Sequence, residues 1–103
     1  MAYTLHIEPG TAGPVTVRVA GEIDVVNAGE FETEVKAISG PLVLDLGGLD
    51  YLDSAGFAAL DALLSRRDLT VVIPPASKLR KVASLVGLPH YDDVAAAGAP
   101  HRE

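Results

Sequence analysis

The chain's most usable chemistry lies in Asp53-Ser54-Ala55-Gly56. An apolar run over residues 42–46 leads towards it, and a second apolar run, carrying Phe57, Leu60, Leu63 and Leu64, leaves it. A serine delivered by a strand to the start of a helix can serve as a nucleophile, as an N-cap or as the acceptor of a phosphate. A nucleophile elbow requires a glycine two residues before the serine, and that residue is Leu52. A base is also required. His6 falls on an early strand, His90 on a late edge and His101 in the tail, and each reads as a solvent-facing side chain. The sequence therefore predicts no catalytic residue and no enzyme.

A phosphate on Ser54 fits the local physics. A helix start presents unpaired N–H groups and the positive end of the helix dipole. The modification would add about 1.5 to 2 negative charges beside Asp24 and Asp53. The same pattern is also that of a plain N-cap by Asp53 or Ser54, and the residues alone leave both uses open. At about 100° per residue, Ser54, Ala58, Asp61 and Ser65 share one ridge, roughly 120° from the predicted Phe57/Leu60/Leu63/Leu64 core stripe. Ala58 keeps that ridge low, so that a partner helix or loop can pack beside Ser54.

Other chemistries are poorly served. Gly47-Gly48 has neither the P-loop lysine nor dinucleotide-binding spacing, so no cofactor is expected. Asp24, Asp50 and Asp53 read as three solvated loop acids rather than a magnesium site, and no metal is expected. The chain has no cysteine, which removes thiolate zinc sites and disulfides and fits a reducing compartment. No signal peptide or membrane span is apparent, and the expectation is a soluble cytoplasmic protein. The net charge of −6 disfavours nucleic acid and anionic membranes. Residues 1–64 hold ten acids and two bases, net −8, whereas residues 65–103 hold four acids and six bases, net +2.

The elements that must position Ser54 follow from periodicity. Tyr3, Leu5 and Ile7 alternate on one side of a first strand, and Val15, Val17 and Val19 on a second. The turn-rich residues 8–14 join them, which predicts an antiparallel hairpin. Asn27, with Glu30 three residues on, predicts a capped helix with Ala28, Phe31, Val35 and Ile38 inward. Residues 42–46 read as a buried strand of the parallel type, 47–52 as a turn-rich connection, and 54–66 as a helix. Residues 68–73 read as another buried strand. A third helix is predicted to turn Leu79, Val82, Ala83 and Val86 inward and Lys78, Arg80 and Lys81 outward, with Gly87 closing it. Residues 88–91 suggest a short edge strand, 94–97 a last helical turn, and 98–103 a frayed tail. The whole is a single α/β domain over residues 1–103. Its expected form is two-layered, a mixed sheet of four to five strands with helices mainly on one face.

Three segments carry a family resemblance. Leu44-Asp45-Leu46 with Leu49-Asp50-Tyr51-Leu52-Asp53-Ser54-Ala55-Gly56-Phe57, Gly21-Glu22-Ile23-Asp24, and Leu85-Val86-Gly87-Leu88 together resemble the STAS domain of anti-sigma factor antagonists. The resemblance implies a regulatory protein that binds a serine-kinase anti-sigma factor and frees a sigma factor. Phosphorylation at Ser54 would end the complex, and a phosphatase would reset it. Together with the ridge of Ala58 and Asp61 read from helical geometry, the expected partner contacts are Asp24, Asp53, Ser54, Ala55, Gly56, Ala58 and Asp61. Many members have Ser or Thr where this chain has Ala55, which leaves Ser54 as the only acceptor in the motif. STAS domains also serve as interaction subunits of ABC-type transport or stressosome-like complexes without a phosphoswitch, and that is the alternative reading.

Overall fold

The structure is a computed structural model and describes residues 2–8, 13–66 and 68–95. In chain order it holds β1 (Tyr3–Glu8), β2 (Val15–Ile23), α1 (Ala28–Lys36), β3 (Leu42–Leu52), α2 (Ser54–Leu63), β4 (Leu69–Val72) and α3 (Arg80–Val86). The sheet order is β1-β2-β3-β4. β1 runs antiparallel to β2, while β2, β3 and β4 are parallel. The expected hairpin and mixed sheet are thus present, with four strands. The predicted edge strand over 88–91 reduces to a single bridge between Val72 and Tyr91. Most of the first loop (residues 9–12), the end of the last helical turn (96–97) and the tail with His101 lie outside the described residues.

Strand alternation sets the two faces of the sheet. Val17, Leu44 and Val71 are paired across three strands and belong to one core with Phe31 and Val35 of α1, Leu60 and Leu63 of α2, and Ala83 of α3. The helices therefore share that face. The opposite face carries the row His6, Arg18, Asp45 and Val72. Asp45 interrupts the apolar run of residues 42–46 and is buried. Its charge is met by Arg18 Nη1 at 2.6 Å, and Gly47 N donates to its other oxygen at 2.9 Å.

Several expectations need correction. β3 does not stop at Leu46, because residues 47–52 continue as strand beside an equally extended β2. Register shifts between Arg18 and Ala20, and between Gly21 and Glu22, absorb the irregularity. Gly48 permits it, since a Cβ there would sit 3.0 Å from the Val19 carbonyl oxygen. The core face of α2 is Gly56, Ala59, Leu60 and Leu63, with Phe57 and Leu64 only half-buried at its edges. The helix also ends at Leu63 rather than Arg66. On α3 only Leu79, just before the helix, and Ala83 turn inward, whereas Val82 and Val86 are exposed.

Arg80 is not simply outward either. Its guanidinium donates to the Ile73 carbonyl at 2.8 Å and to Asp92 at 2.6 Å. Gly87 closes α3 as expected, in the left-handed conformation (φ 74°), and Leu88 N then donates back to the Ala83 carbonyl. Ile7, expected on the covered side of β1, is half-exposed at that edge strand.

Candidate functional site

The extension of β2 and β3 brings two connections together at one end of the sheet. One is the turn of residues 24–27 between β2 and α1. The other is the single residue Asp53 between β3 and α2.

Asp53 settles which residue caps α2. Its Oδ1 accepts from Gly56 N at 3.0 Å, the N-cap bond that Ser or Asp supplies at helix starts. Its Oδ2 accepts from Val25 N at 3.1 Å, across the gap to the β2–α1 turn. Its own N–H donates to the Ile23 carbonyl at 3.3 Å. One carboxylate thus fixes both the helix start and the facing turn. Ser54 is the first helical residue and is exposed, so capping makes no demand on its hydroxyl.

The turn itself is held by Asp24 and Asn27. Asp24 Oδ1 accepts from Val26 N at 2.9 Å and Asn27 N at 3.3 Å. Asn27 is buried, its Oδ1 accepting from Asp24 N at 2.9 Å and its Nδ2 donating to the Glu22 carbonyl at 3.0 Å. The expected side-chain cap from Asn27 to α1 is therefore replaced by a bond back to the Asp24 amide, while Asp24 itself forms an Asx turn with Val26 N.

With the corrected face of α2, the Ser54 ridge points almost directly away from the core, roughly 180° from it rather than 120°. Ser54, Ala58 and Asp61 are all exposed. Along that ridge runs a cleft of about 320 Å³. Ser54, Phe57, Ala58 and Asp61 line one side, and residues 86–89 line the other. Ala55 is half-buried. Gly56, expected among the contact residues, is buried and offers no outward face. A Cβ there would lie 2.3 Å from Leu52 Cδ1 and 3.3 Å from Ile23 Cγ2, so glycine lets α2 start this close to β3.

Asp24, Asp53, Ser54, Ala58 and Asp61 therefore lie around the start and the outer ridge of α2. Asp50 does not join them; it is exposed, with Lys78 Nζ 3.9 Å away. Among the described residues no three His, Cys, Asp or Glu side chains come together as a metal site. His90 Nδ1 lies 2.7 Å from the Leu88 carbonyl, and His6 stands on the outermost strand β1. No helix among the described residues is long and apolar enough to cross a membrane.

Sequence reasoning missed Val25 and Val26, which are 75% and 85% exposed on the turn. The available signal was Asp24, a residue type whose side chain bonds its own backbone two residues on and so turns the chain at Val25 and Val26.

Residues 8–94 match the family model described as "Mlab, STAS domain". No curated protein matches the chain. Among solved structures it is similar to an anti-sigma factor antagonist from Mycobacterium paratuberculosis, with 29% identity and a TM-score of 0.79 over 93% of this chain and 91% of that one. It is also similar to the anti-sigma factor antagonist SpoIIAA in its unphosphorylated form, at 18% identity and a TM-score of 0.63 over 82% of each chain. At that lower identity the likeness is one of fold alone.

Proposed function

The chain belongs to the STAS domain family, and from that premise we propose that it is an anti-sigma factor antagonist switched by phosphorylation of Ser54. In this reading it is a binding module with no catalytic step of its own. The unmodified chain docks on a kinase-type anti-sigma factor and releases the sigma factor; the kinase then modifies Ser54 and the complex dissociates. A phosphatase restores the docking form.

The observation that carries the reading is the division of labour between Asp53 and Ser54. Asp53 caps α2, so Ser54 stands exposed at its first residue and is reachable by a kinase. A phosphate there would sit at the positive end of the helix, which limits its cost to the fold. It would also add about 1.5 to 2 negative charges next to the Asp53 carboxylate and at the head of a ridge that already carries Asp61. Large change at the surface with small change in the core is what a docking switch requires. Asp24, Asp53, Ala55, Ala58 and Asp61 are the contact set around Ser54, and Gly56 contributes by letting the helix start close to β3. The similar Mycobacterium paratuberculosis structure, an anti-sigma factor antagonist, supports the antagonist reading.

The test is to incubate the chain with ATP and the anti-sigma factor recovered with it from its own cells, then map phosphate by mass spectrometry. Ser54 is expected as the modified residue, with no incorporation into Ser54→Ala. Incorporation elsewhere, with Ser54 untouched, overturns the assignment.

A further inference from the structure

Two valines on the turn beside Ser54 are held where burial would normally remove them. Val25 and Val26 are 75% and 85% exposed, yet their backbone is firmly fixed. Asp53 Oδ2 holds Val25 N, Asp24 Oδ1 holds Val26 N, and the buried Asn27 pins the turn to the Asp24 amide and the Glu22 carbonyl. The ordering cost of this apolar pair is thus met within the free chain, which is how a preorganised contact is built.

The chain segments that build the turn and α2 are acidic. No lysine or arginine lies between Arg18 and Lys36, or between Lys36 and Arg66, and these stretches supply the turn, Asp53 and α2. The acids there include Glu22, Asp24, Asp53 and Asp61. Charge complementarity calls for a basic surface opposite.

Resting on the reading of Ser54 as the docking switch, we infer that Val25 and Val26 form an apolar knuckle that inserts into an apolar socket, rimmed by Arg or Lys, on the partner protein. Asp53 is its positioning residue: the carboxylate that caps α2 also holds the knuckle beside Ser54. A phosphate on Ser54 would then sit next to the group that fixes the knuckle, and its bulk and its repulsion of the Asp53 carboxylate would disturb the turn.

The experiment measures affinity for the purified kinase-type anti-sigma factor by titration calorimetry at low and high salt. Wild type is compared with the double variant Val25→Thr/Val26→Thr, which keeps the β-branched shape and removes apolar surface. An amide spectrum of the variant matching wild type outside residues 24–27 shows that the fold persists. The expected result is binding at least about tenfold weaker for the variant, with wild-type affinity falling as salt rises. If Ser54 phosphorylation releases wild type but the double variant binds as tightly as wild type, the knuckle is overturned and the switch stands. If the variant is weakened but phosphorylation does not release wild type, the switch falls and the knuckle stands. Affinity insensitive to salt overturns the basic rim.

Discussion

Replacing Gly56 by alanine tests whether α2 is seated on β3 as closely as the switch requires. The added Cβ would meet Leu52 Cδ1 at 2.3 Å, Leu52 Cγ at 2.9 Å and Ile23 Cγ2 at 3.3 Å. Leu52 is 7% exposed and Ile23 fully buried, so neither can swing into solvent. Forcing one carbon into a packed site of this kind costs about 1–3 kcal/mol. Alanine's better helix propensity returns up to about 1 kcal/mol in a helix interior and less in the first turn. A net loss of about 1–2 kcal/mol is expected, read as a lower urea midpoint with unchanged slope. In a domain of this size that corresponds to a fall in Tm of roughly 4–15 °C. Gly29→Ala supplies the internal contrast. Gly29 is an exposed residue of α1, and nothing lies within 4 Å of its added Cβ. That variant should gain about 0.5–1 kcal/mol. Gly56→Ala as stable as Gly29→Ala would refute the close seating of α2.

Ala58→Trp should leave the urea midpoint nearly unchanged, because Ala58 is exposed on the outer ridge, and should abolish binding by filling the cleft beside Ser54; a melted core would show that the helix phase is wrong. Asp53→Ala removes the cap of α2 and the Val25 tether together, and should cost about 1–2 kcal/mol in a denaturant titration. Arg66→Gln should cost about 1–3 kcal/mol, since the guanidinium donates to the Ile38 and Gly40 carbonyls at 3.0 and 2.9 Å and thereby closes the end of α1. The hydrogen bond from Arg66 holds the Asp68 carboxyl below its ordinary value. A lowered carboxyl stabilises above its unfolded pKa of about 3.9 and ceases to do so as pH falls through the folded value. The gap between wild type and Arg66→Gln should therefore narrow below about pH 4 in acid titrations of stability.

The parts of the fold legible in the sequence were those ruled by simple periodicity. Val15, Val17 and Val19 announce β2, and Ala28, Phe31 and Val35 announce the inner face of α1, because each lies flat against one core. The serine at a helix start was legible for the same reason. What failed was mainly close approach. Gly47-Gly48 reads as a turn, yet it is strand, because β2 extends beside it and the register shifts need a bare backbone. On α2 the large Phe57 looks like core and the small Ala59 does not. The start of α2 sits so near Leu52 and Ile23 that Gly56 and Ala59 face inward and Phe57 is left at the edge. On α3 the apolar Val82 and Val86 look like core too, but the seven-residue helix turns only Ala83 inward and Leu88 seals what remains. At the site, composition alone could not separate Asp53 from Ser54 as the cap. Only the two hydrogen bonds of the Asp53 carboxylate do so.

The most direct test of the switch is the affinity of the purified kinase-type anti-sigma factor for three forms of the chain: unmodified, phosphorylated at Ser54, and Ser54→Ala. Ser54→Ala should bind like the unmodified chain and resist release by ATP. The phosphorylated form should bind at least about tenfold more weakly, a difference of about 1.4 kcal/mol. Equal affinity for all three forms would contradict the account and leave this surface as a docking face that no phosphate controls.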